Sequence, residues 1–428
     1  MTADFGIVLS FGLLALVPLA LAGIALINTG LGRSRSAAQM MMASLCVFAT
    51  AALVYFAVGF AFQGLPDRPA QVLVIGAKAW SWSGGGSFFL RGLAADIPGA
   101  WLVCWFGMFG VATAAVIPLG TGAERWRLGA CCASTVLLAG IVYPLFAHWA
   151  WGGGWLARLG TSYGLGQGFV DCGGAGVIHA VGGLTALAMA WILGPRRGKY
   201  GHEGMPTAMP GHNAVLVLLG CMLALVGWIG LNSAGSILLG GVAAGRVPMV
   251  AINTTLSAAA GALTVAGLTR ARFGKPDASL TANGWVAGLV AASAGCAFFT
   301  PLAAVVSGAF AGLLLPFAVE LLELHLSIDD PGGAVTVHGV SGIWGLLAAG
   351  IFGRFPAPSP DQWVAQLIGV ATLLGFVLPL GYALNWLLDR FMPQRVAPEG
   401  ERQGMDLHEL GAGAYPEFMT HFDDMTQR

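Results

Sequence analysis

Charge is what this chain has least of. Only 9% of its 428 residues are Asp, Glu, Lys or Arg, and acids and bases balance at 20 each. Soluble domains carry about 25% charged residues, so an ordinary water-soluble fold is excluded. The balance also leaves no basic field for nucleic acid. Long polar segments are scarce too, and only the stretch after Phe391 is one. The 7 cysteines are odd in number, and none are spaced C-x-x-C. Cys46, Cys104, Cys131, Cys132, Cys172, Cys221 and Cys296 therefore read as small apolar packing residues, not as a disulfide framework or metal site. No Ser–His–Asp grouping, phosphate loop or metal triad is visible, so neither an enzyme nor a cofactor is expected. The nearest catalytic-looking group, "SIDDPGG" from Ser327, reads as a helix cap. The N-terminus lacks a basic region ahead of its apolar run, which is too long for a signal-peptide core. It reads as a retained first span.

Apolar residues fill the space that charge leaves. They make up 57% of the chain, and mean hydropathy is +0.77. The 65 glycines lie largely inside apolar runs, where small residues let membrane helices approach closely. About 20 residues of helix are needed to cross about 30 Å of hydrocarbon. On that ruler the sequence predicts eleven spans, at 5–29, 38–63, 97–120, 129–150, 171–193, 213–239, 247–269, 280–299, 302–325, 334–353 and 362–389. The fold class is thus all-α, a polytopic membrane protein. Residues 1–390 would form the membrane domain, with halves at about 5–193 and 213–353, and residues 391–428 a cytoplasmic tail. That tail is either a partner-binding segment or a solvated end. The loops around Gly64–Arg91 and Gly152–Gly168 would shape the outer entrance.

Basic residues set the orientation. Of 20, those on one side are Arg33, Arg35, Arg125, Arg127, Arg196, Arg197, Lys199, Arg270, Arg272, Lys275, Arg390, Arg395, Arg402 and Arg428. The other side has Arg68, Lys78, Arg91, Arg158, Arg246 and Arg354. The positive-inside rule makes the richer side cytoplasmic, with the N-terminus outside.

Two apolar stretches each contain one histidine. "GAGVIHAVGGLTAL" (Gly174–Leu187) and "GAVTVHGVSGIWGL" (Gly333–Leu346) align on His179 and His338. Gly174, Ala175, Val181, Gly183 and Leu187 also meet identical residues. The copies fall in the fifth and tenth spans and so run in opposite directions, the pattern of an inverted repeat with a site between its halves. Ionisable groups inside a bilayer are costly and usually line a pathway or pair. His179 lies eight residues beyond Asp171, roughly 12 Å deeper along a helix. Such a pair would resist double protonation. Three readings remain open: a proton-handling pore for a small weak base, a bis-histidine haem or metal site, and a structural hydrogen bond. No carboxylate or cysteine stands at a ligand spacing beside either histidine, and glycine-tight packing leaves little room for a macrocycle.

These stretches, with "PLALAGIALINTGLGRS", "GAERWRLGA", "HWAWGGGWL", "GWIGLNSAGS" and the tail motif "ERQGMDLHELGAGAY", resemble the Amt/Mep/Rh superfamily of ammonium transporters, its bacterial Amt branch most of all. The resemblance covers nearly the whole chain. It implies eleven helices per subunit in two inverted five-helix halves plus one extra helix. It also implies a homotrimer with one pore per subunit in the bacterial inner membrane, and a tail able to dock a PII-type signal protein. By the same resemblance, ammonium is recruited at an outer vestibule by Trp151 and Asp171 and loses its proton. Ammonia then passes a greasy tunnel lined by His179 and His338. The chain departs from the pattern at the gate. The two gate phenylalanines fall on Gly110, with Phe106 and Phe109 nearby, and on Leu231. The cation-binding serine falls on Gly235, between Ser233 and Ser236 on the same helix. Either another aromatic such as Phe109 fills the gap, or the mouth serves a different small amine, or the protein senses ammonium and conducts little.

Overall fold

A computed structural model describes residues 2–416 apart from 67, 69, 202, 203 and 358. Its framework is helical. In chain order the long helices are α1 (Phe5–Leu31), α2 (Ser34–Gln63), α3 (Pro98–Gly122), α4 (Leu128–Ala150), α5 (Ala175–Leu193), α6 (Ala214–Leu238) and α7 (Ala244–Phe273). They continue with α8 (Ala278–Ser293), α9 (Pro301–His325), α10 (Ala334–Phe352) and α11 (Gln362–Phe391). Among the described residues, all but α8 are long and apolar enough to cross a membrane, which makes 10. The chain is a multi-pass membrane protein.

The sequence predicts an eleventh crossing at 280–299, but α8 stops at Ser293 after 16 residues. At 1.5 Å per residue that is roughly 24 Å of helix, so helix alone covers less of this segment than the about 30 Å of hydrocarbon, and a turn makes up the rest. The rest of that apolar run is a turn, and Asn253 ties it off. Its side-chain amide donates to the carbonyls of Cys296 and Phe299, each at 2.9 Å. Thr300 then caps α9, and Pro301 occupies the first helical turn, where its missing N–H costs nothing. The fifth span also starts later than expected, at Ala175 rather than 171.

Helices meet through glycine. α1 packs along α6, its counterpart five helices on. A Cβ on Gly23 would stand 2.6 Å from the Gly220 carbonyl oxygen, and one on Gly220 2.6 Å from that of Gly23. Only glycine at both positions permits this approach.

One element was not expected. Strands β1 (Ala70–Ile75) and β2 (Lys78–Gly84) form an antiparallel hairpin in the loop between α2 and α3. It is anchored on the end of α4. Ser81 Oγ lies 2.9 Å from His148 Nε2, and the Trp149 indole donates to the Trp82 carbonyl at 2.7 Å.

The tail is bound rather than merely solvated over the described residues. Glu401 and Asp406 are buried. Asp406 accepts from the backbone N–H groups of Ala38 (3.1 Å) and Gln39 (2.7 Å), at the start of the α-helical part of α2. Glu409 accepts from Leu128 N–H at 2.9 Å, at the start of α4. Both satisfy donors that a helix N-terminus leaves open, and both complement its dipole. Glu401 takes the Arg197 N–H at 2.6 Å and the Arg395 guanidinium at 2.8 Å. Beside it, Arg196 pairs with Glu124 (2.7 Å) and Asp329 (2.9 Å), and Arg33 also meets Glu124. Burial pushes the Asp329 carboxyl up, but hydrogen bonds from Arg196 and the charges of Arg125 and Arg196 outweigh it, leaving Asp329 below the usual carboxylate value. Burial likewise lowers Arg125 to about 10, although Asp329 opposes this.

Candidate functional site

The two histidine segments cross at the middle of the bundle. Each begins with a glycine at positive φ, Gly174 at 87° and Gly333 at 69°. Each then winds one π-helical stretch, Ala175–Ala180 and Ala334–Val340, before continuing as α-helix. π-Helical turns widen the backbone and re-aim side chains, and they cluster at functional sites. Each segment is also capped by an aspartate. Asp171 Oδ2 accepts from Gly176 N–H (2.9 Å) and Val177 N–H (2.8 Å). Asp330 accepts from Ala334 (3.0 Å), Val335 (2.9 Å) and Thr336 (3.4 Å). "SIDDPGG" is thus a helix cap, and the repeated unit is longer than the aligned stretch: aspartate, two glycines, histidine.

Close contacts at the crossing exchange under the same offset. A Cβ on Gly183 would collide with the Gly339 backbone, and one on Gly342 would stand 2.9 Å from Ala180 N. Gly183 aligns with Gly342 and Ala180 with Gly339, so these are one contact seen twice about a local two-fold. The crossing brings His179 and His338 together. Their Nδ1 atoms are 3.3 Å apart, and the ring centroids lie 5.3 Å apart at 29°. Both rings are buried. One Nδ1 must donate and the other accept, so the pair holds one proton between them. His179 Nε2 has no protein partner among the described residues.

Trp228 completes the pair and was not singled out from the sequence. Its indole stacks on His179 at 4.7 Å and 11°, and its N–H donates to Ser293 Oγ at 3.1 Å. The available signal was its place in "GWIGLNSAGS".

A cavity of about 500 Å³ opens at the Asp171 end. Its walls include Trp151, Asp171, Phe169, Cys172, Phe298 and Phe355. The Gly64–Arg91 and Gly152–Gly168 loops contribute Pro66, Gly153, Ala157 and Gln167. The Trp151 indole N–H donates to the Asp171 carbonyl oxygen at 2.8 Å, which fixes the ring at the cavity wall. Asp171 therefore does two things: it caps α5 and it holds Trp151. Its other carboxylate oxygen, Oδ1, is buried without a protein partner among the described residues.

The residues at the positions where the chain departs from the family pattern have a steric explanation. Phe106 meets Trp151 edge-on at 5.6 Å, and its ring would lie 3.1 Å from a Cβ on Gly235. A serine at 235 has no room, because Phe106 and the Cys172 carbonyl oxygen occupy it. The Tyr143 hydroxyl lies where a side chain on Gly110 would begin, which rules out a phenylalanine there. Phe109 does not fill the gap. It stacks instead on Phe48 (6.4 Å) and packs at a tilt against Trp105 (5.4 Å), since it lies a different way around α3 from Phe106. Leu231 is fully buried in α6. Ser233 Oγ is buried without a protein partner among the described residues, and Ser236 Oγ donates back to the Asn232 carbonyl at 2.7 Å.

Known proteins match this architecture along its length. A family model described as Ammonium Transporter Family matches residues 8–415. Ammonium transporter Amt2 of Archaeoglobus fulgidus is 39% identical over 416 residues, spanning 93% of this chain and 85% of its own. The ammonium transporter of Bacillus subtilis is 31% identical, spanning 93% of this chain and 95% of its own. Among solved structures, a sensor Amt protein superposes with TM-score 0.86 at 30% identity, covering 95% of this chain and 98% of its own. Candida albicans Mep2 superposes with TM-score 0.80 at 25% identity, covering 96% of this chain and 90% of its own. The chain belongs to the ammonium transporter family.

Proposed function

We propose that the chain conducts ammonium nitrogen across a bacterial inner membrane as ammonia, with the proton relayed separately. The cation enters the cavity beside Trp151, where an aromatic face attracts a positive charge by about 1 kcal/mol or more. The unpartnered Asp171 Oδ1 adds negative charge at the same wall. A bare cation is too costly to carry through hydrocarbon, so it gives its proton to water in the cavity before Phe106 and continues as a neutral molecule, the proton following through the histidine pair. His179 and His338 receive that molecule. His179 Nε2 is free to hydrogen-bond ammonia, while the shared Nδ1 proton lets the pair pass a proton along. Trp228 holds the His179 ring in plane.

The observation that carries this reading is the contact of two buried imidazoles at 3.3 Å on two segments of one repeat. The charge asymmetry of the loops supports an outside N-terminus and a cytoplasmic tail. The same reading includes a homotrimer, one pore per subunit, and a tail that offers its surface to a PII-type signal protein. Purified protein in proteoliposomes should give an inward current when ammonium is added. His179→Ala should abolish the current or change its pH dependence. Ammonium binding with no current and no uptake in the unsubstituted chain would mark a receptor and overturn the transport reading.

A further inference from the structure

Two cysteines that are far apart in sequence pack together behind the cavity wall. Cys172 lines its wall next to Asp171. Cys172 and Cys296 are free, buried thiols and pack in one small cluster with Val250 and Ala297. The backbone explains the meeting: Cys172 N–H donates to the Ala294 carbonyl at 3.1 Å, which draws residue 172 onto the turn after α8. Ser236 lies against both. Its Oγ is 3.4 Å from Cys296 Sγ. A Cβ on neighbouring Gly240 would stand 2.9 Å from the Ser236 carbonyl oxygen and 3.1 Å from Cys172 Sγ.

Among the described residues, no group of three or more His, Cys, Asp or Glu is arranged to hold a metal ion. Two sulfurs are a different case, since thiolates select soft ions such as copper(I). We propose that Cys172 and Cys296 form a two-sulfur site for a soft monovalent cation of the copper(I) or silver(I) class, reached from the cavity. This rests on reading the cavity as an entrance for cations. Such an ion carries the same single charge as ammonium, so the Trp151 face and the Asp171 carboxylate draw it in the same way. On binding, one thiol releases its proton to water in the cavity and its thiolate sulfur bonds the metal. The second sulfur keeps its proton and donates a lone pair. No electron is transferred, and the thiolate neutralises the ion, as burial requires. Occupied, the site ties the segment behind Asp171 to the turn at Cys296 and reduces ammonium flux.

Silver(I) in chloride-free buffer is the probe, applied to the full chain. Bound silver per chain is measured by mass spectrometry after desalting, and uptake is followed in proteoliposomes. Cys172→Ser and Cys296→Ser should each hold fewer silver ions than the unsubstituted chain, while Cys46→Ser, away from the site, should keep cavity binding. The silver concentration that halves uptake should rise by about tenfold or more in the two site variants. Alanine variants at both positions check that the change follows loss of sulfur. Equal silver content in the unsubstituted chain and both site variants would overturn the proposal, as would unchanged inhibition despite lost silver. If the unsubstituted chain takes up no ammonium, the transport reading fails, while the silver count still decides the site.

Discussion

Gly342→Ala tests whether the crossing of α5 and α10 has any slack. The added methyl would stand 2.5 Å from the Ala175 carbonyl oxygen and 2.9 Å from Ala180 N. Both are backbone atoms in the π-helical stretch that carries His179, so no side chain can swing aside. Ordinary contact begins at 3.4 Å, so the helices must separate by about 0.9 Å, or 3.4 less 2.5. Overpacking of this kind costs about 1–3 kcal/mol. It also stretches a 3.3 Å histidine contact past hydrogen-bonding range. The variant should therefore unfold at lower temperature in detergent and lose ammonium-driven current together. Gly267→Ala in α7 is the control, since nothing lies within 4 Å of its added methyl. That change should be neutral or stabilise by up to about 1 kcal/mol, because alanine favours a helix. Unaltered melting and unaltered current in Gly342→Ala would refute the argument that glycine-tight packing sets the imidazole distance.

Three further outcomes follow from the geometry. Asp171→Ala strands the buried N–H groups of Gly176 and Val177 and should cost about 1–3 kcal/mol for each, read as thermal unfolding, whereas Asp171→Asn keeps an acceptor and should cost less. Trp228→Phe keeps a ring over His179 and should retain most of the current, while Trp228→Leu should not; equal currents would show that the stack is dispensable. Asp329 is held below the ordinary carboxylate pKa of about 4, so its contribution is complete at neutral pH, fades as pH falls through that value, and is gone below the lowered one. Asp329→Asn should thus flatten the acid limb of melting temperature against pH, and an unchanged limb would count against the buried ion network.

What could be read from the sequence follows the physical strength of each signal. Apolar length and loop charge are properties of whole segments, so the long helices were evident within a few residues. The histidine pair stood out because an ionisable side chain inside a span is rare. Composition could not show where α8 ends, since "CAFF" is as apolar as the helix before it, and the stop is imposed by Asn253 from α7. The hairpin had a signal that was passed over: two runs of strand-forming residues flank Gly76 and Ala77 within the loop. Choosing between Phe106 and Phe109 needed the direction of each ring around α3, which alignment by residue type does not contain. The cysteine pair was invisible because Cys172 and Cys296 share no local pattern; only the fold joins them. Trp228 was one tryptophan among 14, with nothing local to separate one that stacks on His179 from an interfacial one.

The capping of α2 and α4 by tail carboxylates has a consequence for how the protein is made. Ala38, Gln39 and Leu128 leave the ribosome hundreds of residues before Asp406 and Glu409. Every membrane helix can therefore be inserted while the ends of α2 and α4 still await their partners. The clasp can close only when synthesis has passed residue 409, so a nascent chain that ends between Phe391 and Asp406 would have all its long helices yet remain unlatched.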